Sequence, residues 1–132
     1  MKQHELALLY LNKAAEDEAL LDEVITSPRV SDTAIGFHCQ QAAEKLLKAR
    51  LSHLGVRFRR THDLRELMDL LDDQGHPLPD HLSELDQLTP YAVEFRYEVL
   101  PLEVETPLDR RGARRLVEEL RSWVEKEIGV KL

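Results

Sequence analysis

Three clusters in the chain carry side chains whose types and spacing suit chemistry. Residues 40–48 read Gln40-Gln41-Ala42-Ala43-Glu44-Lys45-Leu46-Leu47-Lys48, the densest polar run at helical spacing. Gln41, Lys45 and Lys48 can present donors to a phosphate or a partner. Glu44 and Lys48 stand four apart with the acid first, the order that favours a surface ion pair. The alternative is a solvated or subunit-facing stripe that binds nothing. Arg57, Arg59, Arg60 and His62 crowd the approach to a helix start. There, backbone N–H groups and the positive end of the helix dipole attract anions. The plainer reading has His62 bonded to a neighbouring backbone group and the arginines loose in solvent. Arg96-Tyr97 follows an expected helix break. This arginine either braces the next loop or faces an intersubunit cleft and contacts RNA or nucleotide.

Charge placement narrows these choices. The 132 residues hold 18 Lys and Arg against 25 Asp and Glu, a formal charge of −7. Residues 44–65 nevertheless carry seven bases and two acids, whereas residues 66–87 carry seven acids and no Lys or Arg. Residues 110–121 add five arginines against two glutamates. An anionic ligand is thereby restricted to the corner between the second and third helices or to the last helix. Other chemistries lack their residues. No Glu is followed three positions later by His, as carboxylate-bridged metal bundles require, and His76 and His81 are separated across prolines. There is no glycine-rich phosphate loop, Gly-x-Ser-x-Gly or His-Glu-x-x-His. The single Cys39 allows neither an internal disulfide nor a cysteine zinc site. Neither a metal nor a cofactor is expected. No apolar run approaches the roughly 20 residues of a membrane span, and the N-terminus lacks a signal-peptide core. The expectation is a cytoplasmic protein, residues 1–132 forming one domain.

The elements that must position these clusters read as helices throughout. Leu6, Leu9, Lys13, Leu20 and Val24 roughly track a 3.6-residue period in the first, which stops before Pro28. Ser31 or Asp32 caps a second helix running to about Leu54, with Gly55 as its left-handed cap. Its apolar stripe is Cys39, Ala42, Ala43, Leu46, Leu47 and Leu54, opposed by Gln41, Glu44, Lys45 and Lys48. Thr61 is the expected cap of a short third helix over 62–73, facing inward with Leu64, Leu67, Met68 and Leu71. A fourth starts near Asp80 and breaks or restarts at Thr89-Pro90. Residues 98–105 read as an ordered loop. Thr106-Pro107-Leu108-Asp109 starts a last helix to about Ile128, burying Leu116, Leu120, Trp123 and Val124. This is an all-α, antiparallel up-and-down bundle of four to five helices.

The clusters, in this order, carry a resemblance. Phe37-His38-Cys39-Gln40-Gln41-Ala42-Ala43-Glu44-Lys45-Leu46-Leu47-Lys48, then Thr61-His62-Asp63-Leu64, then Phe95-Arg96-Tyr97 resemble the HEPN domain family (higher eukaryote and prokaryote nucleotide-binding). The resemblance spans nearly the whole chain. It implies a helical bundle, commonly a two-fold homodimer, that binds nucleotide or RNA. It also implies pairing with a minimal nucleotidyltransferase, often as a toxin–antitoxin couple. Several branches are metal-independent ribonucleases with an Arg-x4–6-His motif, the histidine moving a proton and the arginine stabilising phosphate charge. The counterpart here would begin at Arg96, yet positions 101–103 read Pro101-Leu102-Glu103, none of which shuttles a proton. Arg57-x4-His62 meets the spacing in a different place. The expectation is a non-catalytic binding protein using Gln41, Lys45, Lys48, Arg57, Arg59, Arg60, His62, Arg96 and Tyr97. The alternative is a ribonuclease with His62 as acid–base and Arg57 or Arg96 as the phosphate clamp.

Overall fold

A computed structural model describes residues 2–92 and 107–130. It contains helices α1 (Lys2–Val24), α2 (Asp32–His53), α3 (Leu64–Asp73) and α4 (Arg110–Ile128), with a 3₁₀ helix (Asp80–Tyr91) between α3 and α4. The described residues include no strand, and the helices pack on one another as an all-α bundle.

The arrangement centres on α2, which packs against every other element and most extensively against α1. Ser31 caps it by accepting from the Ala34 N–H at 3.1 Å. Gly55 ends it at φ +74°, which L side chains rarely adopt, and the Val56 N–H closes back on the Leu51 carbonyl at 2.9 Å. Being surrounded, α2 buries polar as well as apolar side chains: Gln40, Glu44, Lys48 and Arg50 lie inside with Leu46, Leu47 and Leu51. The solvent-facing polar stripe expected from residues 41–48 is therefore corrected. A central helix has little face left for water, so its polar groups must find partners within the fold.

Two further expectations change phase. On α1 the core face is Ala7, Leu11, Ala14 and Leu21, whereas Leu6, Leu9 and Leu20 are 42–52% exposed. Short alanines there, with Ala42, Ala43 and Ala49 on α2, suit a closely packed pair. On α4 the fully inward positions are Ala113, Val117, Leu120, Val124 and Ile128, with Leu116 and Trp123 half-buried. The cap of α4 is Asp109, which accepts from the Gly112 N–H at 3.0 Å; Thr106 lies outside the described residues. The 3₁₀ winding of residues 80–91 follows from Leu82, Leu85 and Leu88, all buried. At three residues per turn, leucines every third residue stack directly above one another on one face.

Arginines lock the layers. Arg110 donates to Asp32 at 2.7 Å and to the carbonyls of Ile25, Ser27 and Val30, fastening α4 to the α1–α2 turn. Arg121 joins Glu18 at 2.6 Å and the Leu11 carbonyl at 2.9 Å, and Arg114 reaches Asp22 at 2.8 Å. Burial pushes the Glu18 carboxyl above its ordinary range, against the pull of Arg121 and Arg114. Of the five arginines in the block 110–121, Arg111 and Arg115 are left exposed.

Candidate functional site

The polar signature of α2 folds onto the turn before α3. The Glu44 carboxylate accepts from Gln40 Nε2 at 3.1 Å, Lys48 Nζ at 2.8 Å and His62 Nδ1 at 2.7 Å. Gln40 Nε2 also donates to the His62 carbonyl at 2.9 Å, and Gln41 Nε2 donates to Gln40 Oε1 at 2.7 Å. The Lys48 ammonium lies 5.6 Å from the centre of the Phe58 ring, a cation–π distance. Four polar side chains of α2 (Gln40, Gln41, Glu44 and Lys48) thus hold Phe58 and His62, two α3-side positions, to one helix. A carboxylate only accepts, so His62 Nδ1 is the donor in the bond to Glu44. The His62 side chain is 34% exposed, Glu44 only 6%.

The expected donor face of Gln41, Lys45 and Lys48 therefore divides. Lys48 serves the buried Glu44. Lys45 turns to α1, donating to Asp17 at 2.6 Å, and the same carboxylate meets His38 Nδ1 at 2.9 Å. The role of Asp17 in holding His38 and Lys45 was not readable in the sequence, because partners 21 and 28 residues apart leave no spacing signature.

At the corner, Thr61 does not cap α3. Its Oγ1 accepts from the Asp63 N–H at 3.0 Å, and Asp63 is the cap, accepting from the Arg65 N–H at 3.0 Å. The Leu64 N–H donates to Thr89 Oγ1 at 3.2 Å, so Thr89 helps cap the start of α3; the helix expected to restart after it runs into residues outside those described. These amides, expected to receive an anion, already have protein oxygens. Arg59 makes a two-pronged pair with Glu66, through Nε to Oε2 at 2.8 Å and Nη2 to Oε1 at 2.7 Å. Arg65 pairs with Asp86 at 2.9 Å, which holds its guanidinium above the ordinary range.

Arg50 counts among the bases of the 44–65 segment but is buried. It donates to His76 Nδ1 at 3.1 Å and His53 Nδ1 at 3.3 Å and reaches Glu127 at 3.4 Å, leaving Nε without a partner. Of the seven bases in that segment, five are committed to acids. Arg57 and Arg60 are both exposed and have no acid partner among the described residues. Arg96 and Tyr97 lie outside the described residues.

Among the described residues, no three His, Cys, Asp or Glu side chains group as a metal site. No described helix is long and apolar enough to cross a membrane. In comparisons with known proteins, the family model of the HEPN domain matches residues 8–127. No curated protein and no solved structure matches.

Proposed function

Since the chain belongs to the HEPN family, we propose that residues 1–132 act as one non-catalytic domain that binds nucleotide or RNA through the α2–α3 corner. In this reading it works in the cytoplasm as a homodimer, partnered by a minimal nucleotidyltransferase in a toxin–antitoxin-like pair. The supporting observation is a pair of exposed guanidinium groups, Arg57 and Arg60, that have no acid partner among the described residues and stand beside a turn held by the Glu44 network. In an overall acidic molecule, two exposed cations side by side at one corner favour phosphate there. His62 and Arg59 flank the contact; Arg96 and Tyr97, outside the described residues, belong to the binding residues in this reading. Gln41 and Lys48 support the turn through the Glu44 network, whereas Lys45 is held by Asp17 on α1.

Polarisation titrations of nucleotides and short RNAs over a salt series test this. Wild type binds with salt-sensitive affinity, and Arg57→Ala and Arg60→Ala each reduce the slope of log K on log salt by about 0.7. Absence of binding, together with no nucleotidyltransferase in co-expression pull-downs, overturns it.

One observation favours the alternative of a metal-independent ribonuclease. A buried carboxylate on His62 Nδ1 is the arrangement that orients an imidazole for proton transfer at Nε2. Arg57 or Arg96 would then stabilise the phosphate. That reading requires chelator-resistant RNA cleavage that His62→Ala abolishes while the helical circular dichroism is retained. No cleavage by wild type eliminates it.

A further inference from the structure

The large hydrophobic side chains exposed on the described surface are Leu6, Leu9 and Leu20, all on α1. They fall on a strict heptad seam whose remaining positions are Lys13, Glu16 and Glu23. All six residues, alternately three and four apart, are exposed. This seam lies away from the core stripe of Ala7, Leu11, Ala14 and Leu21. A helix already packed on one side needs no second apolar stripe for its own fold, and a seam with this spacing is the pattern by which two helices interlock.

The charges on the seam select the occupant and its direction. Packed parallel against its own copy, Lys13 would face Lys13 and Glu16 would face Glu16, like charges opposed at the centre. Packed antiparallel about a two-fold axis between residues 14 and 15, Leu9 meets Leu20 of the second copy and Lys13 meets Glu16. Leu6 lies beside the stem of Glu23. Every layer occurs twice, once on each side of the axis, as an isologous interface requires. Lys13 and Glu16 already pair within one helix at 3.6 Å, both more than half exposed, so both side chains can reach across at little cost.

We propose that α1 is the homodimer surface, two copies pairing antiparallel with Leu9 against Leu20 and Lys13 against Glu16. The proposal deepens the homodimer part of the functional reading and rests on it. No seam residue belongs to the α2–α3 corner itself.

Sedimentation analysis of the full chain gives the first test. Wild type sediments as a dimer, and Lys13→Glu and Glu16→Lys each weaken the dimer at least about tenfold by opposing like charges. The double exchange Lys13→Glu with Glu16→Lys restores it. Both substitutions are at exposed positions, and unchanged circular dichroism confirms the fold. Oxidative crosslinking gives the direction. Leu9→Cys combined with Leu20→Cys forms an intermolecular disulfide. Neither single variant does, because the register separates like positions 9 and 9 by about 16 Å along the axis. A monomeric wild type overturns both the homodimer and this surface. A dimer indifferent to the charge variants, or one that crosslinks through Leu9→Cys alone, overturns this surface and leaves the homodimer standing.

Discussion

Replacing Glu44 by alanine removes the carboxylate on which Gln40, Lys48 and His62 converge. The Lys48 side chain is only 11% exposed, so its ammonium would be stranded out of water. Removing one member of a buried ion pair costs about 3–5 kcal/mol, most of it the penalty of the charge left behind. With a urea slope near 2 kcal/mol per molar for a domain of this size, the unfolding midpoint should fall by roughly 2 M. Glu44→Leu combined with Lys48→Met removes both charges and should cost far less, within about 1 kcal/mol of wild type, because no unpaired ion remains. Urea titrations followed by circular dichroism read both variants. The reasoning is refuted if Glu44→Ala loses less than about 1 kcal/mol, or if the paired replacement is as damaging as the single one.

Three other outcomes follow from the packing. Burial first, then Arg50 and His4, hold the His53 imidazole below its ordinary 6.5. The unfolded chain therefore takes up the proton first, so stability is complete above about pH 6.5 and declines as the pH falls below it. His53→Gln should flatten that decline in urea midpoints measured between neutral and mildly acidic buffer. Arg110→Ala should cost about 1.5–3 kcal/mol in the same assay. Arg110→Lys should recover little, since an ammonium has no planar fork to span Asp32 and three carbonyls. Burial pushes the Cys39 thiol up to about 12, so it should resist thiol reagents at neutral pH in native protein and react once urea unfolds it.

How much of this was legible in the sequence depends on the range of the interaction. The α3 stripe of Leu64, Leu67, Met68 and Leu71, the Ser31 cap and the Gly55 stop all obey rules that act within one or two turns. The phase of α1 did not, because two apolar stripes compete on it. Leu6, Leu9 and Leu20 outweigh Ala7 and Ala14 on any hydrophobic scale, yet the small residues face α2. Similarly, Glu44 and Lys48 at helical spacing looked like a surface pair, since nothing local tells that α2 lies at the centre. The Leu82, Leu85 and Leu88 spacing held a readable signal for 3₁₀ winding that the expected α-helix overlooked. At the candidate site, the signature residues Gln40, Glu44, Lys48 and His62 do come together, whereas the cationic segment does not act as a unit. Arg59, Arg65 and Arg50 have acids that lie 7, 21 and 77 residues away in the chain, pairings that only the tertiary fold discloses.

The most direct measurement of the central claim is amide chemical-shift mapping during titration with a short single-stranded RNA. If the rigid α2–α3 corner is the phosphate-binding edge, the perturbed amides cluster at residues 56–63, and Arg57→Ala with Arg60→Ala abolishes the shifts while leaving the spectrum of the free protein otherwise intact. Shifts confined to α4 around Arg111 and Arg115, or none at any RNA concentration, contradict it.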